Sequence, residues 1–432
     1  MALRRTSGAV HVVFFNRSFY PDGAATGQLL TDLAEDLVEQ HGWRVTVITG
    51  VPLVPSRPDL PRLGGWLVGR ESYHGVAIRR ARGTRFDKRR FAGRAANYMS
   101  YFLTACWAGL RVDRPDVVVA MTDPPIIGLA AWLASKRAGA PLVMAYQDLF
   151  PEVTALLEDF HSDAIDHGLQ RVNRFLCRRA TRIVALGETM RRRLIENKGA
   201  REEQTVVISN WADTRAIVPG DKANAFAREH GLADVFVVMH SGNVGLSQSL
   251  ETIVEAAALL RDLPDLRIVF QGEGVKKADL QRQAVALGLT NVLFLPYAPK
   301  GRLGEAFATA DVFVVSLQRG LAGYIVPSKL YGILAAGRPY VAAVETSCEV
   351  AAITRARQCG LVAEPGDAAG LARRIRELYE DRSLTRRLGA NARAAGLLFD
   401  RAVQVERYAR LLDETVMRRR ASQAAQPATG NA

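Results

Sequence analysis

Lys329 is the side chain whose setting most suggests chemistry. It stands in Ile325-Val326-Pro327-Ser328-Lys329-Leu330-Tyr331-Gly332-Ile333-Leu334-Ala335-Ala336-Gly337-Arg338-Pro339, which passes from an apolar strand end into a short helix and stops on Gly-x-Pro. Pro327 fits a helix start because its missing N–H has no partner to lose there. Ser328 can satisfy a free first-turn N–H, and Lys329 adds a cation where a helix start already carries positive potential. Two positive features aimed at one spot suit a diphosphate. Taken alone, the same residues also describe a capped helix with a solvated lysine.

Other strand ends carry compatible loops. After a predicted strand at 11–15, Phe19-Tyr20-Pro21-Asp22-Gly23-Ala24-Ala25-Thr26-Gly27-Gln28 leads into a helix by Leu29. Gly23, Thr26 and Gly27 are small enough for a ligand to approach the backbone, or they form a flexible turn with Thr26 as its cap. After His240 come Ser241-Gly242-Asn243-Val244-Gly245-Leu246-Ser247-Gln248, then an amphipathic helix at 250–260. Gly242, Gly245, Asn243, Gln248 and free N–H groups make a diphosphate cradle, but no third glycine falls in register for a dinucleotide fingerprint. Gln271-Gly272-Glu273-Gly274 and Leu295-Pro296-Tyr297 end two further strands; Tyr297 either borders a planar base or simply packs. P-loop, H-E-x-x-H, nucleophile-elbow and Asp-x-Asp patterns are absent. Transfer from an activated phosphate ester fits, because the leaving group brings its own driving force and the protein has to stabilise developing negative charge.

These loops need a scaffold, and 432 residues suit two α/β domains of ~200 residues each. Short apolar runs alternate with helical patterns throughout, which predicts parallel sheets covered on both faces. Strands are expected at 11–15, 44–49, 76–80, 116–121, 142–146, 182–186 and 205–208, then at 235–240, 267–271, 292–295, 312–316, 340–344 and 360–363. Each half reads as a doubly wound, Rossmann-like unit. The join falls at 210–220, before a helix starting near Lys222. The expected division is 1–212, 213–400, a final helix at 401–420 and a disordered tail at 421–432. Ligands in such folds bind at the carboxyl ends of the strands.

Charge supplies a second theme. Lys and Arg number 57 against 44 Asp and Glu, a net +13. Arg79, Arg80, Arg82, Arg85, Lys88, Arg89, Arg90 and Arg94 are opposed only by Asp87, and a second group runs through Arg171, Arg174, Arg178, Arg179 and Arg182 to Arg191–193. Such patches suit an anionic membrane or a phosphorylated substrate, or are solvated faces. No nucleic-acid reading motif accompanies them. The four scattered cysteines fit a reduced cytoplasmic protein without a disulfide framework. The N-terminus lacks a secretory apolar core, and the longest apolar stretch, 95–110, is short for a spanning helix.

In this order the motifs resemble glycosyltransferase family 4. Residues 19–28, Tyr146-Gln147-Asp148-Leu149-Phe150-Pro151-Glu152 and Leu186-Gly187-Glu188-Thr189-Met190 resemble its acceptor domain. Residues 241–248, 272–274, 294–297 and 326–339 resemble its donor domain, as does Cys359-Gly360-Leu361-Val362 with Glu364-Pro365-Gly366-Asp367. The similarity spans roughly 10–400. It implies the GT-B fold: two Rossmann-like doubly wound domains facing across a cleft, with the last helix crossing back to the first. It further implies retaining transfer from a nucleotide-sugar without a protein-bound metal or cofactor.

The chain departs from that family at several positions. Its E-x7-E pair falls on Tyr324 and Gly332, its donor-phosphate Arg and Lys on Asn243 and Gln248, and the His of its His-Asp pair on Gln147. The pattern resembles the WbuB-type branch for bacterial surface polysaccharides, including lipopolysaccharide, in which Pro-Ser-Lys and Gly-Asn-x-Gly are usual. The resemblance implies a hexosyl- or aminosugar transferase taking a UDP-sugar to a lipid-diphosphate-linked acceptor, with Lys329, Asp148 and Gln147 at the reacting centre. Gly242, Asn243, Gly245, Gln248, Gly272, Glu273, Gly274, Tyr297, Pro327, Ser328 and Leu330 are expected on the donor side. Gly23, Thr26 and Gly27 are expected on the acceptor side. Arg85, Lys88, Arg89, Arg90 and Arg94 are expected against the inner leaflet, with Phe86, Phe91 and Tyr98 beside them. A nucleotide-sugar epimerase, or a catalytically degenerate nucleotide-sugar-binding partner, remains open on the same residues.

Overall fold

The computed structural model describes residues 10–52, 67–87, 91–157 and 162–425. The chain forms two compact units. The first takes the residues up to Leu186, Met190–Ile208 and those from Val405; the second takes Gly187–Thr189 and Ser209–Gln404.

Eight strands build the first unit's sheet: β1 (His11–Phe15), β2 (Arg44–Gly50), β3 (Val68–Tyr73), β4 (Val76–Ala81), β5 (Val117–Met121), β6 (Leu142–Ala145), β7 (Arg182–Ala185) and β8 (Thr205–Val207). Their order is β3-β4-β2-β1-β5-β6-β7-β8. Every pairing is parallel except β3 with β4. The inner strands β1, β5 and β6 are buried along their whole length, which is why they read as continuous apolar runs. Sequence patterning predicts no strand at 68–73, because Val-Gly-Arg-Glu-Ser-Tyr is an edge strand with mixed faces. The turn behind it is a tight hairpin, with His74 at φ 45° and Gly75 at φ 79°.

The second unit holds β9 (Phe236–Ser241), β10 (Leu266–Gln271), β11 (Val292–Leu295), β12 (Val312–Ser316), β13 (Tyr340–Ala343) and β14 (Gly360–Ala363). They are all parallel, in the order β11-β10-β9-β12-β13-β14. Phe236, Ile268, Phe270, Val312 and Val314 pack with Leu250, Val254 and Leu371 from the covering helices. The helix expected near Lys222 begins instead at Ala225, where Asn224 Oδ1 accepts the Ala227 N–H at 3.0 Å. Lys222 is drawn into an ion pair with Asp311.

Strand order reverses between β1 and β5 in one sheet and between β9 and β12 in the other. At such switch points the loops leaving the carboxyl ends diverge and open a crevice. The two crevices take their side chains from the loops after β1, β5 and β6, and from those after β9, β10 and β12.

The last helix, Arg401–Ala424, begins in the second unit, where Asp400 Oδ2 accepts the Thr214 N–H at 3.1 Å. From Val405 it belongs to the first unit, where Arg420 pairs with Asp116 at 2.8 Å and Arg407 donates to the Val207 carbonyl at 2.7 Å. The disordered tail expected from 421 is corrected in part: the helix continues to Ala424, and residues 426–432 lie outside the described ones.

Candidate functional site

In the second unit the ends of β9, β10 and β11 and the loops that leave β9 and β10 are tied together through their backbones. Gly242 N–H donates to Gln271 O at 2.9 Å, Gly272 N–H to Leu295 O at 3.0 Å, and Val244 N–H to Glu273 O at 2.9 Å. Gly242 and Gly272 lie at φ 121° and 149°. A Cβ on Gly272 would stand 1.9 Å from Gly242 O, so only glycine lets the two loops approach.

Lys329 reaches this junction from the loop after β12. It opens a helix of 7 residues, Lys329–Ala335. Ser328 occupies the position before it, but the expected side-chain cap does not form. At φ −63° and ψ −25° Ser328 is already helical, not in the extended conformation a capping side chain uses. Leu330, expected on the donor side, is fully buried, and its N–H donates to Pro327 O at 3.3 Å. Pro327 is buried too.

The Lys329 side chain turns toward β9. Its Nζ lies 3.1 Å from His240 Nε2 and 3.5 Å from where a Cβ on Gly242 would be. Burial brings the Lys329 ammonium down to about 7. His240 is held well below its ordinary value, first by burial and then by Lys329, with the Asn243 carbonyl opposing. Its Nδ1 is buried without a hydrogen-bond partner. The pair therefore holds less than two charges near neutrality. His240 escapes sequence reasoning; its only signal is a polar residue closing the apolar run Phe236-Val237-Val238-Met239.

The other donor-side residues differ in how free they are. Gln248 Oε1 accepts the Gly245 N–H at 3.1 Å, and Asn243 Nδ2 leans over Gly245, 2.5 Å from a Cβ placed there. Gly274 packs against Val244 O, 2.1 Å from a would-be Cβ. Glu273 pairs with Lys277 at 2.7 Å, and its carbonyl accepts the Tyr297 hydroxyl at 3.3 Å. The Tyr297 ring stays 52% exposed beside the glycine loop. Gly332 is hemmed in by Phe307, whose Cε2 would stand 2.9 Å from a Cβ, so a glutamate there has no room while Phe307 keeps its position.

A second polar cluster fills the first unit's switch point. Arg17 Nε lies 3.1 Å from Asp123 Oδ1, and Ser18 Oγ donates to Asp123 Oδ2 at 2.8 Å. The Arg17 guanidinium sits 5.4 Å from the Tyr98 ring centre. Gln147 N–H donates to Thr122 Oγ1 at 3.1 Å, and Asp148 N–H reaches the same oxygen at 3.4 Å. Burial, and then the neighbouring Asp123, raise the Asp148 carboxyl to about 7. Sequence reasoning found Gln147 and Asp148 but missed Arg17, Ser18 and Asp123, although these directly follow β1 and β5.

On the acceptor side, the helix Ala25–Glu39 starts earlier than expected, with Ala24 before it and no side-chain cap. Thr26 is thus inside the helix and not its cap. Gly27 packs on Ser18, 3.1 Å from a would-be Cβ, whereas Gly23 has nothing within 4 Å.

The basic run divides. Arg80 is buried, paired with Glu71 at 2.5 Å, and so does not belong to a solvated face, while the half-buried Arg79 donates to Ala108 O at 3.0 Å. Arg85 and Phe86 are exposed and Arg94 is partly buried, while Lys88, Arg89 and Arg90 lie outside the described residues. Among the described residues no group of His, Cys, Asp and Glu is placed to hold a metal ion, and no helix is long and apolar enough to cross a membrane.

Residues 25–211 match the glycosyl transferase 4-like domain family, and residues 222–395 match glycosyl transferases group 1. WbjE of Pseudomonas aeruginosa, described as a glycosyltransferase, is 28% identical over 299 residues, covering 68% of this chain and 74% of that one. WcaI of Escherichia coli (strain K12), described as a colanic acid biosynthesis glycosyl transferase, is 26% identical over 358 residues, 78% of this chain and 84% of that one. The crystal structure of HepE from Anabaena in complex with UDP shares the fold. Its TM-score is 0.72 at 19% identity, over 94% of this chain and 100% of that one.

Proposed function

We propose that the chain, whose residues 25–211 and 222–395 match the glycosyl transferase 4-like domain and the glycosyl transferases group 1 families, is a GT-B glycosyltransferase that moves a sugar, with retention, from a UDP-sugar to a lipid-diphosphate-linked glycan. The setting is the assembly of a bacterial surface polysaccharide, in keeping with the description of WcaI. UDP is favoured because HepE, of the same fold, binds UDP and UDP-glucose. Pro327-Ser328-Lys329 and Gly242-Asn243-Val244-Gly245 are the residues that favour the WbuB-type branch.

The observation that carries the reading is Lys329 Nζ beside Gly242 at the second unit's switch point. The donor diphosphate lies against Gly242–Gly245, and its charge returns Lys329 to the full ammonium form. As the bond from the anomeric carbon to the diphosphate oxygen breaks, the electron pair leaves on that oxygen and Lys329 offsets it. The acceptor hydroxyl bonds to the anomeric carbon on the face the diphosphate vacates, and its proton passes to the departing phosphate. In the molecules that keep the Asp148 proton, about half of them at pH 7, its carboxyl donates a hydrogen bond to a substrate oxygen, with the Gln147 amide beside it. A lipid-borne acceptor puts the work at the inner face of the cytoplasmic membrane.

The test is a UDP-release screen across UDP-sugars with a lipid-diphosphate-sugar acceptor present. Release that needs both substrates, with the product keeping the donor's anomeric configuration by NMR, is the expected result. Interconversion of the donor sugar without UDP release would establish an epimerase. UDP-sugar binding without turnover on any acceptor would establish a binding partner.

A further inference from the structure

One helix of the first unit carries an apolar stripe on its outer face. In Phe91–Leu110, Met99, Leu103, Trp107 and Leu110 recur at the spacing of a single helix face. Leu103 is 59% exposed, Met99 50% and Trp107 41%. A helix lying on a water-facing surface ordinarily carries charge there, yet Arg94 is the only charged residue in all twenty positions.

Neighbouring segments extend the stripe. Asn97 Oδ1 accepts the Phe86 N–H at 2.9 Å and Asn97 Nδ2 donates to Phe86 O at 3.0 Å, which fixes Phe86, 58% exposed, beside the helix. At the far end Arg137 donates to Leu110 O at 2.7 Å, bringing up the helix Ile127–Ala138 with its exposed Leu133. Cations stand around this surface. The Arg111 guanidinium lies 3.6 Å from the Trp107 ring centre, and Arg85, Lys136 and Arg137 are exposed, against Asp87 and Asp113 on the same segments.

We propose that this face is where the protein docks on a bilayer carrying anionic lipid, with Met99, Leu103, Trp107 and Phe86 entering the headgroup boundary and the cations meeting lipid phosphates. Apolar area plus cationic flanks is the combination that interfacial helices use, and long basic side chains can lay their stems over the apolar rim. A second copy of this chain is the poorer occupant. A two-fold contact through the same patch would set like cations against each other. The choice of a bilayer deepens the reading of a lipid-borne acceptor and rests on it. The inner side of the same helix presents Tyr98 to Arg17 and buries Tyr101, so the docked face and the polar cluster at the first switch point share one rigid element.

The test uses the full-length chain and sedimentation with phosphatidylcholine vesicles, with and without phosphatidylglycerol. The wild type should co-sediment only with the anionic vesicles, and added salt should weaken it. Leu103→Glu/Trp107→Glu should lower the bound fraction about tenfold or more, while its circular dichroism and unfolding midpoint stay those of the wild type. Wild-type protein left in the supernatant, or a double variant that sediments like the wild type, would overturn the proposal. A wild-type dimer that the double variant breaks, without vesicle binding by either, would assign the face to a second copy. Calorimetric titration with UDP reports on the donor reading separately, so loss of one does not imply loss of the other.

Discussion

At Lys329 the free and donor-bound proteins should differ by a proton. Burial brings this ammonium down to about 7, so at pH 8 most free molecules hold it neutral, and an arriving diphosphate restores the charge. UDP binding at pH 8 should therefore take up protons, and at pH 6 hardly any. Titrations in buffers of different ionisation enthalpy measure this, and Lys329→Met should abolish the uptake. Asp148 behaves in the opposite sense. Its folded-state value of about 7 lies above the ordinary carboxylate value of 3.8. The folded chain thus holds the proton more tightly between those limits, and stability is lost as pH rises through them. Asp148→Asn should raise the unfolding midpoint by about 3 °C or more at pH 8, raise it far less at pH 4, and lower transfer. Equal shifts at both pH values would contradict the buried, protonated state. Lys329 was legible because Pro-Ser-Lys is a local pattern. His240, its contact, was not, because the pairing joins residues 89 positions apart.

At the level of elements, the loops after β9 and β10 hold each other through glycine backbone. Gly272→Ala should cost about 2 kcal/mol or more, since it combines a φ of 149° with a contact of 1.9 Å to Gly242 O. Urea unfolding would measure it, and UDP binding should fall with it; wild-type stability would show that the loops part easily. The inner parallel strands were readable within a residue or two because burial on both faces leaves only apolar side chains. The edge strand β3 was not, since Arg70 and Glu71 serve solvent and a buried partner in turn: Glu71 neutralises Arg80, which the sequence had suggested was part of a basic surface. Serine before the Lys329 helix looked like a cap by residue type, but its helical backbone removes that role. Spacing alone conveys neither a buried ion pair nor a turned backbone.

For the molecule as a whole, the alternation of strands and helices was enough to give two doubly wound units, and the amphipathic ending gave the returning helix. Val405, Tyr408, Leu412 and Val416 on that helix are buried, with Arg407 and Arg420 bonded into the first unit. Ending the chain at Gln404 should lower the unfolding midpoint by about 10 °C or more. Differential scanning calorimetry measures it, and an unchanged midpoint would contradict the packing of this helix on the first unit. The side chains that gather at the switch points were only half visible, because sheet order decides which loops become neighbours and sequence does not print that order. The claim that joins these scales is sugar transfer from a UDP-sugar with Lys329 meeting the charge on the leaving UDP. It is tested most directly by incubating a UDP-sugar labelled in the sugar with a lipid-diphosphate-linked acceptor, for the wild type and Lys329→Met. Label should move to the lipid with an equal amount of UDP released, about a hundredfold more slowly in the variant. Label that stays on the nucleotide, or that moves equally fast without the lysine, would contradict it.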